Sequence, residues 1–306
     1  MCPKRVSLAL MPFTALRRCA QRAISVMSFA ACAATLAAQL PAPGTSGQPT
    51  PMRGFRATPT VNMRIYVPSG RVRVAVWDRD SISVSGTIGA TSSMFGGGNA
   101  GFVKFGVEPL RTGDTRLPEA DWMVTVPRRA KVWVKVTVGT IETVGTAGEL
   151  ELYAVGGAIT VQQASGVTSV ESIDAAVRIE NVRGDLRVRG GKAPMVLRDI
   201  TATTSVTSVS GGVTFSGQTP DCRVETIGGE IIFDATHMRG VLAELQTHSG
   251  AIRVSVDATR APVLDLSSRS GRVVKPTVTS AAAHGRVVAR TFKGEVMVQL
   301  SPDRPR

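Results

Sequence analysis

The chain has 306 residues, a formal net charge of +13 and four cysteines. Removal of residues 1–38, a leader as argued next, takes away Lys4, Arg5, Arg17, Arg18 and Arg22 and no acid, so +13 becomes +8. It also takes away Cys2, Cys19 and Cys32; Cys222 is then alone, which excludes an internal disulfide framework.

Residues 1–38 read as a secretory signal peptide. The basic start is followed by an apolar stretch, Ala23 to Ala38, and no acid precedes Asp78. The stretch ends in small residues (Ala33, Ala34, Ala37 and Ala38), the charged, apolar and small-residue order of a cleaved leader. It is too short and too rich in alanine for a permanent membrane span, which takes about 20 strongly apolar residues. An alternative makes Cys32 the lipid-modified residue of a lipoprotein, but Phe29 suits that motif poorly. The expected location is therefore the periplasm or the cell surface.

Residues 39–60 are rich in Pro, Gly, Ser and Thr and are expected to form a flexible linker. Residues 61–129 are expected to be an N-terminal β region and cap, with short strands at Ile65–Val67, Val72–Val76 and Ile82–Val84. Within it, residues 86–120 leave the alternating pattern. Their run Gly96-Gly97-Gly98-Asn99 lacks the Lys-Ser/Thr and the helix of a phosphate cradle, and reads as a flexible excursion.

Residues 130–300 are a repeat of nine residues. A small residue recurs at Ala130, Gly139, Gly148, Gly157, Gly166, Ala175 and Gly184, and on through Gly211 to Gly229. Apolar residues follow two and four positions later, as in Leu150/Leu152, Ile159/Val161, Val177/Ile179 and Cys222/Val224. Alternation over such short runs indicates a strand with one buried face, and the small residue marks a tight corner. A third apolar site falls seven residues after the small one, at Val155, Ile173, Val182, Ile200, Val209 and Ile227.

Beyond Gly229 the units begin at Val241, Gly250, Pro262, Gly271, Gly285 and Gly294, so extra residues enter at every second corner. Two units per rung would place all these insertions on one edge. The expected fold is all-β: a single-stranded parallel β-solenoid, or β-helix, with rungs of about 18 residues made of two nine-residue strand units.

The stretches GRVRVAVWDRDSISVSG (70–86) and DWMVTVPRRAKVWVKVTVGTIETVGTAGELELYAVGGAITV (121–161) carry a resemblance. With these runs the chain resembles a bacterial β-strand-repeat domain family of unknown function whose members are labelled candidate adhesins. The likeness covers roughly residues 60–298 and implies an envelope-associated β-repeat protein. It brings no catalytic residues to carry over.

Little on this scaffold suggests chemistry. Cys222 occupies the repeat position of Leu150 and Leu186 and is expected in the core. His248 stands at the corner position of Val155, Ile173 and Ile227, while His237 and His284 fall in insertions; none has metal-ligand spacing. No catalytic residue, metal or cofactor is expected. Alternation turns Glu149, Glu151, Asp185, Arg187, Asp221, Arg223, Glu244 and Asp265 outward on one sheet. Ala158, Ala176, Pro194, Val196, Gly212, Ile232, Ala251, Val274 and Met297 point outward on the other. That second, apolar face reads as a surface for a protein partner or self-association, or as one covered by residues 86–120 or the N-terminal strands.

The expected function is a non-catalytic, structural or adhesin-like binding module of the cell envelope. A polysaccharide-acting β-helix enzyme is the alternative, and an oligomerising envelope-stress component a third reading. The basic balance points to anionic envelope polysaccharide or lipid headgroups rather than nucleic acid. The insertions 234–240, 255–261 and 276–284 form the candidate edge. Asp234-Ala235-Thr236 with Arg239 recurs as Asp257-Ala258-Thr259 with Arg260, so Asp234, His237, Arg239, Asp257, Arg260 and His284 are the candidate contacts. The Asp-x-Thr segments read equally as turns in which Asp accepts from the backbone.

Overall fold

In a computed structural model the described residues are 47–238, 241–277 and 285–301. The leader 1–38, including Cys32, lies outside them. The described residues are all-β, twenty strands in a long mixed sheet. The strands are β1 (Gln48–Arg56), β2 (Asn62–Trp77), β3 (Ser81–Ile88), β4 (Ser92–Asn99), β5 (Phe102–Pro109) and β6 (Glu119–Pro127). There follow β7 (Lys131–Val144), β8 (Glu149–Gln162), β9 (Ser165–Glu180), β10 (Arg183–Gly190), β11 (Met195–Ser208), β12 (Val213–Gly217), β13 (Asp221–Thr226) and β14 (Ile231–Asp234). The last are β15 (Val241–Thr247), β16 (Ile252–Val256), β17 (Val263–Ser268), β18 (Val273–Val274), β19 (Gly285–Thr291) and β20 (Val296–Leu300).

From β7 to β14 every pairing is parallel and offset by 18 residues, except for a shift to 17 where Ile200 faces Gly217. Lys131 faces Glu149, Glu149 faces Val167, Ser165 faces Arg183, Thr204 faces Cys222 and Val213 faces Ile231. Each repeat has two arms. In β7 the buried side chains are Val132, Val134 and Val136, then Ile141 and Thr143. The switch from even to odd marks a bend at residues 137–139, so both arms turn their apolar residues inward. Branched Val, Ile and Leu at these sites suit the strand and fill the space between the arms. Phe215 and Phe233 stack there with ring centroids 5.3 Å apart.

Cys222 is fully buried in this core. Burial, with the Asp221 carboxylate nearby, pushes its thiol well above the ordinary range. The small corner positions stack on one another. Gly157 has φ +106°, and a Cβ there would overlap the Gly139 carbonyl oxygen.

The N-terminal end closes with antiparallel strands. β2 lies parallel to β7 on one side and to β5 and β6 on the other. β6 then carries antiparallel β3, β3 carries antiparallel β1, and β5 carries antiparallel β4. Residues 48–56, expected in the flexible linker, are thus a paired strand. The glycine-rich run, expected in a loop, belongs to β4 of a hairpin whose turn is closed by Asn99 Oδ1 accepting from the Gly101 and Phe102 amides, at 2.9 and 3.0 Å.

Three further features refine the sequence reading. The last repeats do not stack in chain order: β19 pairs with β15 and with β17, and β20 with β16 and with β18. The final repeat is therefore inserted under its predecessor. Its inward Val287 and Ala289 are fully buried, whereas Leu264 and Leu266 of the displaced repeat are only half-buried at the end of the stack. The third apolar site is not uniform. Val182 and Ile200 are buried, but Ile173, Val209 and Ile227 are 46%, 53% and 60% exposed. The two kinds of corner differ, and a nine-residue reading averages them.

The face read as apolar is uncovered among the described residues, since β4 and β5 extend the other arm's sheet. It is not a continuous apolar strip. Arg178 pairs with Glu180, Arg253 with Glu230, and Arg272 with Glu295 across it.

Candidate functional site

The insertions do leave from one edge. β14–β15, β16–β17 and β18–β19 are each joined at the corner that also holds Gly145, Gln163, Asn181, Asp199 and Gly217. These five positions recur every 18 residues with φ of 80°, 56°, 56°, 54° and 156°. Asn and Asp tolerate the left-handed conformation better than other side chains, so their place at 181 and 199 has a steric reason. The Gln163 amide donates to the Glu180 carbonyl at 3.0 Å and the Asn181 amide to the Arg198 carbonyl at 3.1 Å. On the far side of the corner, the Arg183 amide donates to the Ala164 carbonyl at 3.0 Å and Thr201 to Val182 at 2.9 Å. Buried Ala164, Val182 and Ile200 pin the turn from below.

With the backbone so fixed, the polar side chains turn outward. Gln163, Asn181, Asp199 and Arg183 are exposed. They line a cleft of about 880 Å³ together with Ser165, Thr201, Gln218, Asp234 and His237. Insertion 234–240 contributes His237 and Asp234. Asp234 Oδ1 accepts from the Thr236 amide at 3.0 Å and its hydroxyl at 2.6 Å. Asp257 repeats the arrangement, accepting from the Thr259 amide and hydroxyl, both at 2.8 Å. These bonds, the Thr259 amide foremost, hold the Asp257 carboxyl below the usual range.

Of the sequence candidates, Asp234 and His237 meet in the cleft. Asp257 and exposed Arg260 lie in the following insertion, outside the cleft lining. Arg239 and His284 lie outside the described residues. Both carboxylates serve turns, so the turn reading of Asp-x-Thr holds in the structure. Sequence reasoning missed Gln163, Asn181, Arg183 and Asp199. The signal was there: a polar residue at 18-residue spacing, flanked in series by Gly145 and Gly217.

The cleft offers amides, hydroxyls, one guanidinium, one imidazole and two carboxylates, a set suited to hydrogen-bonding a polyhydroxylated chain. Among the described residues Arg183 has no ion-pair partner. No group of three or more His, Cys, Asp or Glu among them could hold a metal, and no helix among them is long and apolar enough to cross a membrane.

No protein-family model matches the chain, and no curated protein matches its sequence. Solved structures match it only distantly. One is a candidate cell adhesion protein from Clostridium sporogenes, 6% identical with TM-score 0.28, the match covering 83% of this chain and 100% of that one. A candidate adhesin from Bacteroides fragilis is 11% identical at TM-score 0.41, with 84% and 99% covered. A candidate lipid-binding protein from Parabacteroides distasonis is 14% identical at 0.39, with 83% and 98% covered. At these values the likeness carries no argument about activity.

Proposed function

We propose that the chain is an exported, non-catalytic parallel β-solenoid of the cell envelope, structural or adhesin-like, that holds anionic envelope polysaccharide along its insertion edge. The 18-residue parallel register from Lys131 to Asp234, shifted only where Ile200 faces Gly217, supports the solenoid. The leader-like residues 1–38 support export. One observation carries the binding reading. The corner that accepts insertions also stacks outward polar side chains, Gln163, Asn181 and Arg183 among them, into a cleft. Arg183 supplies a guanidinium for an acidic group, and the amides and hydroxyls suit sugar hydroxyls.

The test is retention of an envelope polysaccharide fraction by the chain from residue 39 onward, compared with an Arg183→Gln/His237→Gln variant. Retention falls several-fold at unchanged melting temperature if the edge binds. Equal retention, or a loss that follows unfolding, leaves the edge as connectors. Asp199 and Asp234 in the same cleft favour the enzyme reading as second choice, since glycoside cleavage uses a carboxylate pair. New reducing ends released by the chain and abolished by Asp199→Asn would establish it.

A further inference from the structure

Away from the insertion edge, the outer surface of the first arms holds a different cluster. Strands β4, β5, β2, β7 and β8 lie side by side at the N-terminal end. Register places Lys104, Arg64, Trp133 and Glu151 in one row across them. The next row is Gly106, Tyr66, Lys135 and Tyr153, with Phe95 of β4 opposite Gly106. Both tyrosines of the chain and one of its three tryptophans therefore stand together on a surface position.

Glycines make this a depression. A Cβ on Gly106 would come within 2.6 Å of the Phe95 ring, so the ring lies down only because residue 106 has no side chain. Gly97, opposite Lys104, faces open space. The result is a groove of about 330 Å³ lined by Arg64, Ile65, Tyr66, Phe95, Lys104, Trp133 and Lys135, with no carboxylate in its lining. The glycine-rich run thus gains a role that its sequence did not disclose.

Its cations are held over rings. The Lys104 Nζ is 5.9 Å from the Phe95 centroid, Lys135 Nζ is 5.0 Å from Tyr153, and Arg64 Cζ is 6.0 Å from Phe102. Lys131 next door is paired with Glu149 at 3.0 Å. Among the described residues Arg64, Lys104 and Lys135 have no such partner. With no carboxylate in the lining of the groove, three like charges there repel one another, and an anion between them relieves that. Half-buried, fixed rings offer flat apolar contact at little entropic cost.

We infer that this groove is a binding site for an acidic saccharide, with Trp133 and Tyr66 as stacking platforms and Arg64, Lys104 and Lys135 receiving the carboxylate or sulfate. A lipid surface suits it less. Rings that insert among headgroups must project, whereas Tyr66, Phe95 and Trp133 are half-buried, and the carboxylates of Glu149 and Glu151 border the groove on β8. The site shares no residue with the insertion edge, so either can fail alone.

The experiment is a calorimetric titration of the chain from residue 39 onward with polygalacturonate. Neutral dextran and phosphatidylcholine–phosphatidylglycerol vesicles serve as the other arms. The expected result is binding to polygalacturonate that weakens with salt and is absent for dextran. Trp133→Ala should weaken it roughly tenfold, and Lys104→Gln/Lys135→Gln at least as much. Trp133→Phe keeps a ring and should retain most of the affinity, which guards against a folding artefact. In an Arg183→Gln/His237→Gln background the loss caused by Trp133→Ala should persist, which separates the groove from the insertion edge. Equal affinity for dextran, binding confined to vesicles, or undiminished binding in both the Trp133→Ala and the double-lysine variants would overturn the assignment.

Discussion

At one corner of six repeats, between the two arms, a hydroxyl stands three residues before the small residue; Val136, Ala154 and Gly190 hold that place in three others. The Gly229, Gly250, Gly294 and Gly271 amides donate to the side-chain oxygens of Thr226, Thr247, Thr291 and Ser268, at 2.8 to 3.0 Å. Ser172 and Ser208 instead donate to the carbonyls of Ala175 and Gly211, at 2.5 and 2.8 Å. The residue after the hydroxyl is left facing water: Ile173, Val209, Ile227 and His248, the last stacked on Phe292 at 5.0 Å. At the opposite corner a left-handed residue makes the bend, polar at Gln163, Asn181 and Asp199 and glycine at Gly145 and Gly217. Thr219 donates there to the Ala202 and Asp221 carbonyls, and from Asp234 onward extra residues enter. The first corner fixes length and exposes apolar side chains; the second varies in length and exposes polar ones. A turn that must also receive a ligand belongs to the second kind, because the Gln163 and Asn181 amides bond to the next repeat while their side chains stay exposed.

The contrast can be broken at single residues. Ile159 and Ile227 are both repeat isoleucines, but Ile159 is fully buried and Ile227 is 60% exposed. Ile159→Asp should cost about 4 kcal/mol or more, by placing an unpaired carboxylate in the core. Ile227→Asp should stay within about 0.5 kcal/mol. Urea titration of both variants checks this, and equal losses would show that the Ile227 corner packs its apolar residue as the arms do.

A smaller effect is expected from the hydroxyls. Thr247→Ala removes the acceptor of the buried Gly250 amide and should cost about 1 kcal/mol. Asn181→Ala, at the other corner, removes a side chain facing solvent; its loss comes only from the left-handed backbone, of order 1 kcal/mol or below. Thr247→Ser should restore most of the first loss, and would not if the methyl group rather than the hydroxyl mattered.

The smallest effect is on pH dependence. The folded Asp257 carboxyl titrates below its unfolded range because Thr259 donates to it. A lowered folded value means stability that is present above the unfolded carboxylate range and lost as pH falls through the folded value. Asp257→Asn should therefore lower stability slightly at neutral pH and flatten the acid limb of the melting curve, the two proteins converging at low pH. An unchanged acid limb would show that the Asp-x-Thr turn adds no stability.

The arms were legible because their alternation is local. Val132/Val134 or Ile231/Phe233 need only a neighbour of the same kind to be buried. The corners were half legible. The small residue announces a bend, yet its nine-residue recurrence hides the fact that alternate bends differ, so Ile173 and Val182 read alike although one is exposed and the other buried. The Ser/Thr-x-x-Gly run was visible at Thr226, Thr247 and Thr291 but is meaningful only once the corner geometry is known. The swapped position of β19 and β20 was not legible, since strand order depends on which long-range pairing buries more. Nor was the groove around Trp133, whose residues lie on four strands. Of the edge, the insertions pointed to Asp234 and His237, while Asn181 and Arg183 were hidden in ordinary-length turns.

The central claim is that one corner holds the fold while the other is free to vary and to bind. A Gly-Ser-Gly insertion after Asp199, set beside the same insertion after Val209, tests it directly when urea midpoint and retention of envelope polysaccharide are measured on each. The insertion after Asp199 should leave the midpoint near that of the parent and reduce retention several-fold, whereas the insertion after Val209 should lower the midpoint sharply. Unfolding by the insertion after Asp199, or full retention despite it, would contradict the account.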